Sequence, residues 1–470
     1  MTTPVQSIAG TPAASPLGYF SWTSGQLGRE PYYILVVIYI FFPYFSTQVV
    51  GDPVYGQALI GYLNAVSGAL LALTIPFLGA IADKQGRRKP WIAGTVMFMS
   101  IGACMLWWVM PGAQGSDLYW TFLLLLLINL AFAYSEVFHN AMLPSITPAN
   151  RAGLVSGLAF SLGNLGGVSL MVFVLFAFAL PGVETWSFLP DQPLWGIDQA
   201  AHEQDRIVGP ISGLWMLVFT LPLLFFTPDT PSSGLTLVSA ARSGLKDVFK
   251  TISQLKHYAN IGRYLLARML FNDGMVGVLI FGGVYAAGNF NWDTISLLIF
   301  GLCTSVSAML GAYLGGRLDD RFGSLATLKI SVLMTFFILL ALVSIETDRV
   351  AFFITVDVAP VWSFPYFSTQ AEIIYFCVNQ VFALFFVTAL SASRTLMAKI
   401  CPPEKAAQFF GLYGLSGSVT AFLAPLLVAT TTQWFDSQRV GFGSLALLIV
   451  LGAGMLLWVS DERTLAPTED

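Results

Sequence analysis

Charge is the first thing this sequence is short of. Lys, Arg, Asp and Glu make up 10% of its 470 residues, beside 56% hydrophobic residues, where soluble domains carry about 25% charged residues. So many apolar side chains cannot be hidden in one water-soluble core, and the bilayer becomes the expected solvent. Cysteine is scarce too. Cys104, Cys303, Cys377 and Cys401 stand in or beside apolar runs at no metal-ligand spacing. Packing thiols are expected, not a zinc set or a disulfide framework. The formal net charge of −4 gives no sign of a nucleic-acid partner. There is no Gly-x-x-x-x-Gly-Lys-Ser/Thr loop, so this chain has no ATP engine of its own. The run at His202–Arg206 lacks the second histidine of a zinc-protease helix, and no other catalytic constellation is present, so the chain does not read as an enzyme. Residues 1–28 hold no Lys or Arg and no apolar core. A cytoplasmic leader is expected there, not a cleavable signal.

What is present is length and apolar patterning. A bilayer-spanning helix needs about 20 mostly apolar residues. Twelve stretches qualify, near 32–50, 59–82, 91–110, 118–141, 153–181, 211–227, 264–287, 294–316, 326–345, 371–393, 407–431 and 441–459. Eighteen of the 22 Lys and Arg fall in the connections on one side of this layout. The other side holds only Arg206, Arg349 and Arg439, and Arg268 stands inside a span. That asymmetry puts both termini in the cytoplasm. The expected fold is all-α: a polytopic membrane protein of twelve transmembrane helices. The expected parts are a leader over 1–31, a six-helix bundle over 32–227, a cytoplasmic linker over 228–263, a second six-helix bundle over 264–459 and a tail over 460–470.

The two halves echo each other. "GAIADKQGRRKP" follows the second stretch and "GGRLDDRFGS" follows the eighth. Both contain Gly-x-x-x-Asp-x-x-Gly, as Gly79/Asp83/Gly86 and Gly316/Asp320/Gly323. A second echo matches Pro148 and Gly157 with Pro402 and Gly411. Two six-span pseudo-repeats follow. In each loop the glycine and the acid four residues on share a helix face. The small residue admits a neighbouring helix. The acid can accept from free N–H groups at a helix start. Such a contact can make and break, so Gly79, Asp83, Gly86, Arg87, Arg88, Gly316, Asp320 and Gly323 are the expected cytoplasmic gate. Arg394, in the connection after the tenth stretch, is the cation expected to lock to one of its acids.

The doubled loop resembles the signature of the major facilitator superfamily. "LLARMLFNDGMVGVLIFGGVYAAG", "GAYLGGRLDDRFG", "SASRTLMAKICPPEKAAQFFGLYGLSG" and "FHNAMLPSI" resemble its "unknown major facilitator" branch, which is related to the autophagy-related vacuolar amino-acid effluxers. The likeness covers most of the chain and is sharpest from Tyr264 to Gly417. It implies the major facilitator fold and amino-acid-like cargo. The first span departs from that pattern: it reads "GQLGREPYY", without the family's Asp, so roles tied to that acid do not carry over.

Polar residues inside apolar stretches are the candidate cargo site, because a charge at mid-membrane costs about 2.5–3.5 kcal/mol on insertion scales. Asp273 falls near mid-membrane, and Asn272-Asp273-Gly274 reads as a turn signal. A helix interrupted there would line a solute cavity. Arg268 lies nearer the cytoplasm, where it snorkels, clamps helices together or meets substrate. Glu136, His139 and Asn140 share one face of the fourth stretch, and Glu136 and His139 join Asp273 as candidates for proton coupling. Asn379 on the tenth stretch completes the expected cavity.

The expected function is secondary transport of a small polar solute by alternating access. Amino-acid-like cargo is expected first and a sugar or glycoside second. From another class, a non-transporting membrane assembly module fits the same fold. No cofactor or metal is expected beyond a coupling proton or sodium ion. The expected setting is a monomer in the lipid bilayer of a bacterial inner membrane.

Overall fold

A computed structural model describes residues 6–7, 12–85, 87–148, 151–229, 239, 258–401 and 406–461, leaving aside the side chains of 76–77, 79–85, 144, 152–153, 406–408 and 410. Twelve helices among them are long and apolar enough to cross a membrane. They are α1 (Pro16–Val49), α2 (Pro53–Gln85), α3 (Lys89–Met105), α4 (Ser116–Ile146), α5 (Ala152–Val174), α6 (Val208–Phe226), α7 (Ala259–Phe290), α8 (Thr294–Phe322), α9 (Ser324–Val343), α10 (Gln370–Ile400), α11 in two pieces (Ala406–Val419 and Leu423–Phe435) and α12 (Gln438–Leu456). The only strand pair among the described residues is a two-residue hairpin, Arg349–Val350 against Ile354–Thr355.

Local chemistry sets the helix ends. Asp293 caps α8 by accepting from the Ser296 N–H at 2.9 Å. Thr369 and Glu372 form a capping box at the start of α10, satisfying two donors at once. Gly323, at φ +83°, makes the sharp turn from α8 into α9, a conformation that strains any residue with a Cβ.

The helices cluster into two compact units. One comprises 1–50 with 73–248, the other 51–72 with 249–470. In the first unit α1 is the central element: 83% of its most apolar window is buried, against 33–67% for the other spans. The helix begins inside the leader expected over 1–31. Pro16–Trp22 and Ser24–Tyr32 are helical, and they dock through small residues. A Cβ on Gly25 would lie 2.7 Å from the His139 ring, and one on Gly28 would lie 2.7 Å from Thr220 Oγ1. Two π-helical turns, Tyr33–Tyr39 and Phe45–Val49, complete α1.

In the second unit α7 is the central element. It packs against α12 at backbone distance: a Cβ on Gly452 would lie 2.5 Å from the Phe271 nitrogen. The boundary between the units falls inside α2, not in the linker. The first half of α2 belongs with α11, because Gly61 and Gly68 let the backbones touch. A Cβ there would lie 2.8 Å from Pro425 O and 2.6 Å from Phe422 N respectively. Gln57 Nε2 adds hydrogen bonds to Thr432 Oγ1 at 2.9 Å and Gln438 O at 3.0 Å. Most of the linker expected over 228–263 lies outside the described residues, as does most of the tail.

Candidate functional site

The second unit absorbs the charges of α7 into its own architecture. The turn expected at Asn272-Asp273-Gly274 is absent: α7 runs as a continuous helix from Ala259 to Phe290. Gly274 and Gly277 are contact points instead, with Ile449 and Leu445 of α12 filling the space a Cβ would need. The break is in the neighbouring helix, where α11 stops at Val419 and restarts at Leu423. Asp273 is 6% exposed, and its Oδ2 accepts from the Ala424 N–H at 2.9 Å. An acid thus caps the restarted helix from across the interface, meeting one of the free donors any helix start exposes. Arg268 anchors the other piece of α11. It donates to Tyr413 O at 2.9 Å and Ser416 Oγ at 2.8 Å, with its guanidinium 3.7 Å from the centre of the Tyr413 ring. No carboxylate among the described residues forms an ion pair with it. Asn379 is also buried, donating to Thr304 Oγ1 at 3.1 Å and so joining α10 to α8. Asn272 is half-buried beside Asp273.

The first unit gathers charges of a different kind. Within α1, Arg29 donates to Gln26 Oε1 at 2.7 Å, and Gln26 Nε2 donates to Glu30 Oε2 at 2.7 Å. Arg29 is buried, with its guanidinium 5.4 Å from the centre of the Phe132 ring. Gln26 and Glu30 are half-buried. Glu136 of α4, also half-buried, is close enough to Glu30 for the two carboxylates to repel, while Arg29 attracts Glu30. Tyr33 sits in the field of both acids and stacks on Phe132 with ring centres 5.3 Å apart. Gly163 of α5 makes room, since a Cβ there would lie 2.9 Å from Gln26 Cγ. These groups supply a cation, two carboxylates, an amide and an aromatic wall within apolar spans.

His139 does not join them by its ring. Its Nε2–H donates to Trp22 O at 2.9 Å, Trp22 Nε1 donates to His139 O at 2.8 Å, and the rings stack at 4.2 Å. The imidazole is a clamp between α1 and α4. Asn140, expected on the same polar face, is exposed.

Sequence reading missed Arg29, Glu30 and Gln26 by counting residues before 32 as leader. Glu30 stands inside the stretch read as lacking the family's acid. The available signal was Ser21/Gly25 and Ser24/Gly28, two small pairs four residues apart that mark a packed helix face.

At the helix ends where a cytoplasmic gate was expected, the contacts are made by other residues. The side chains of Gly79 and Asp83, and Gly86 itself, lie outside the described residues. Arg87 is exposed. Arg88 is buried and donates to Ala141 O near the end of α4, where a cation suits the helix dipole. The acid capping the start of α3 is Asp229, which accepts from the Arg88 and Lys89 N–H groups at 2.9 and 3.2 Å. In the second unit the working face is one residue away from the expected one. Asp320 is exposed, whereas Asp319 is buried, accepts from Ser324 Oγ and pairs with Lys399 at 3.5 Å. Gly315, not Gly316, is where α8 touches α10, with a Cβ there 2.9 Å from Thr388 Cα. Arg394 is exposed, and the cation that meets the acid is Lys399. One helical residue is a rotation of about 100°, enough to exchange a packed face for a solvated one.

Comparison with known proteins decides the family. Residues 148–467 match the model described as vacuole effluxer Atg22 like, and residues 11–184 match that of the Major Facilitator Superfamily. The chain belongs to the Atg22-like family of the major facilitator superfamily. It is similar to the MFS-type transporter YxiO of Bacillus subtilis (strain 168), with 25% identity over 94% of this chain and 95% of that one. Autophagy-related protein 22-1 of Neosartorya fischeri is 22% identical over 66% of this chain and 48% of its own length. The match thus spans about half of that fungal relative. Among solved structures, a bacterial homologue of the human lysosomal transporter Spinster aligns with a TM-score of 0.63 at 16% identity, covering 94% and 95% of the two chains. A D-xylose-proton symporter aligns at 0.62 and 12% identity, covering 95% and 98%. These identities speak for the fold alone. By its family, this Atg22-like protein is an integral membrane secondary transporter of small-molecule solutes.

Proposed function

We propose that this transporter moves an amino-acid-like zwitterion by alternating access, and that the Gln26–Arg29–Glu30 relay with Glu136 is its cargo site. The observation that carries the reading is that cluster itself. Ionisable groups inside apolar spans are costly and mark solute paths, and this set has a donor for a carboxylate and acceptors for an ammonium. Arg29 holds the cargo's carboxylate, Glu136 and Glu30 hold the ammonium, and Phe132 and Tyr33 form the apolar wall. Arg268 and Asp273 are assigned to holding the two pieces of α11, and Asn379 to joining α8 and α10.

The charge balance also suggests the coupling ion. Two carboxylates against one guanidinium leave one negative charge, and a zwitterion adds none. A proton on one carboxylate neutralises the loaded site, which eases its passage through a low-dielectric environment. We therefore favour proton coupling over sodium. The excess of basic residues on one side supports cytoplasmic termini. The likeness to a Bacillus subtilis transporter supports a bacterial cytoplasmic membrane.

Counterflow in proteoliposomes tests this. Vesicles loaded with a mixture of the twenty amino acids should accumulate their radiolabelled counterparts, and those loaded with xylose should accumulate no label in xylose uptake. Glu136→Gln should reduce amino-acid counterflow by at least about tenfold, the scale of one lost charge-assisted contact. Robust xylose counterflow with none for amino acids would transfer the assignment to the sugar reading.

A further inference from the structure

We propose that the second unit carries a separate binding site for a zwitterionic amino acid, in a cavity of about 870 Å³ walled by the Arg439–Glu346 ion pair, Asp436, Tyr285, Asn289 and Gln438. The class of ligand rests on the transport reading above; the location does not. The cavity lies at the ends of α7, α9 and α12 opposite the Asp319–Lys399 pair. By the distribution of basic residues that is the non-cytoplasmic side.

The site is built around a charge pair in a cavity wall. Glu346 follows the end of α9, and Arg439 stands in the first turn of α12. Arg439 bonds Glu346 through one terminal nitrogen, and its Nε donates to Val343 O at 2.9 Å. The guanidinium lies 5.0 Å from the centre of the Phe352 ring. The pair is not sealed: the two side chains remain 28% and 34% exposed. Beneath it Tyr285 is 1% exposed, and its hydroxyl has no hydrogen-bond partner among the described residues. That hydroxyl lies in the field of both Arg439 and Glu346. A buried phenol without a partner is costly, and such groups call for an explanation. The volume falls within the range of about 300–1,000 Å³ common for small-molecule sites.

An ion pair beside a cavity selects a molecule bearing the same two charges. The ligand's carboxylate can take up Arg439, and its ammonium can take up Glu346, so one ion pair becomes two with no change in net charge. A molecule with a single charge must take Arg439 or Glu346 from its partner, which is penalised at a partly buried site, or settle for Asp436 on the cavity wall, which is exposed and where an ion pair is worth under about 1 kcal/mol. Tyr285 supplies a further hydrogen bond, and Phe352 with Val343 supplies an apolar wall for the side chain. No proton or covalent step is involved.

The test is equilibrium binding of a radiolabelled mixture of the twenty amino acids to the purified full-length protein in lipid nanodiscs. The wild type should bind a second equivalent beyond the cargo site. Combined Glu30→Gln and Glu136→Gln substitution should remove one equivalent and keep the other. Adding Arg439→Gln should abolish what remains. Tyr285→Phe, which removes one hydroxyl and leaves the ring packing intact, should weaken the second equivalent about tenfold. Methyl esters and N-acetyl derivatives of the same amino acids, each lacking one charge, should compete at least about tenfold less well. Residual binding that is unchanged by Arg439→Gln and Tyr285→Phe overturns the proposal, as does its absence in the Glu30/Glu136 variant when that variant is folded. Failure of the transport reading is separate: it shows as missing counterflow while the Arg439-dependent equivalent persists.

Discussion

The central span of each unit, α1 and α7, makes an instructive pair. They have the most buried apolar windows in the protein, at 83% and 67%, and each carries an arginine and an acid in its interior. In α7 both charges are answered by the two pieces of α11: Asp273 by the Ala424 N–H, Arg268 by the Tyr413 carbonyl and the Ser416 hydroxyl. In α1 the arginine and the acid are linked through Gln26 on their own helix, with a second carboxylate facing them from α4. On the transport reading proposed above, the same kinds of residue serve two purposes. A charge inside a membrane protein is structural where a neighbouring backbone is broken and needs a partner. It is available to a solute where the neighbours are intact helices whose backbone groups are already bonded.

The sharpest way to break this comparison is to neutralise one acid in each span. Glu30→Gln should reduce amino-acid counterflow by at least about tenfold while leaving the folded protein intact. Asp273→Asn keeps an oxygen that accepts from Ala424 and should transport near the wild-type rate in the same vesicles. The reverse result would exchange the roles assigned to α1 and α7. Next in size is Gly452→Val. Its Cβ would press on the Phe271 backbone, and overpacking of this kind costs about 1–3 kcal/mol, read as a lower thermal midpoint and lower yield in detergent. Asp273→Leu sharpens the structural reading: losing the cap on the restarted helix should cost about 1–2 kcal/mol, with counterflow per folded molecule preserved. The smallest effect belongs to Lys399→Gln. Its partner Asp319 keeps the Ser324 hydrogen bond, and a half-exposed ion pair is worth under about 1 kcal/mol, so the thermal midpoint should hardly move.

Much of the architecture was legible in the residues. Apolar runs, the side-to-side imbalance of Lys and Arg and the doubled Gly/Asp loop are strong signals, because the bilayer leaves so few ways to satisfy a backbone. Glu136 stood out in the sequence as an acid on one face of a long apolar helix, and the structure places it near Glu30. The relay on α1 was not legible. Gly25, Gly28 and the surrounding serines give residues 16–32 a polar reading, yet small side chains are what let that segment pack against its neighbours. Asp319 and Gly315 were missed by one position, because a motif fixes spacing along a helix but not which way the helix is turned.

The sequence alone therefore determined that this chain lives in a membrane, crosses it with twelve helices and repeats itself across two halves, since hydropathy, charge placement and periodicity act locally along the chain. Only tertiary structure decided which polar residues are already bonded. Whether Asp273 meets a helix start, or His139 meets the Trp22 carbonyl, depends on groups 151 and 117 residues away. A hydrogen bond has a reach of about 3 Å, and nothing in the order of the residues says which distant donor will come within it.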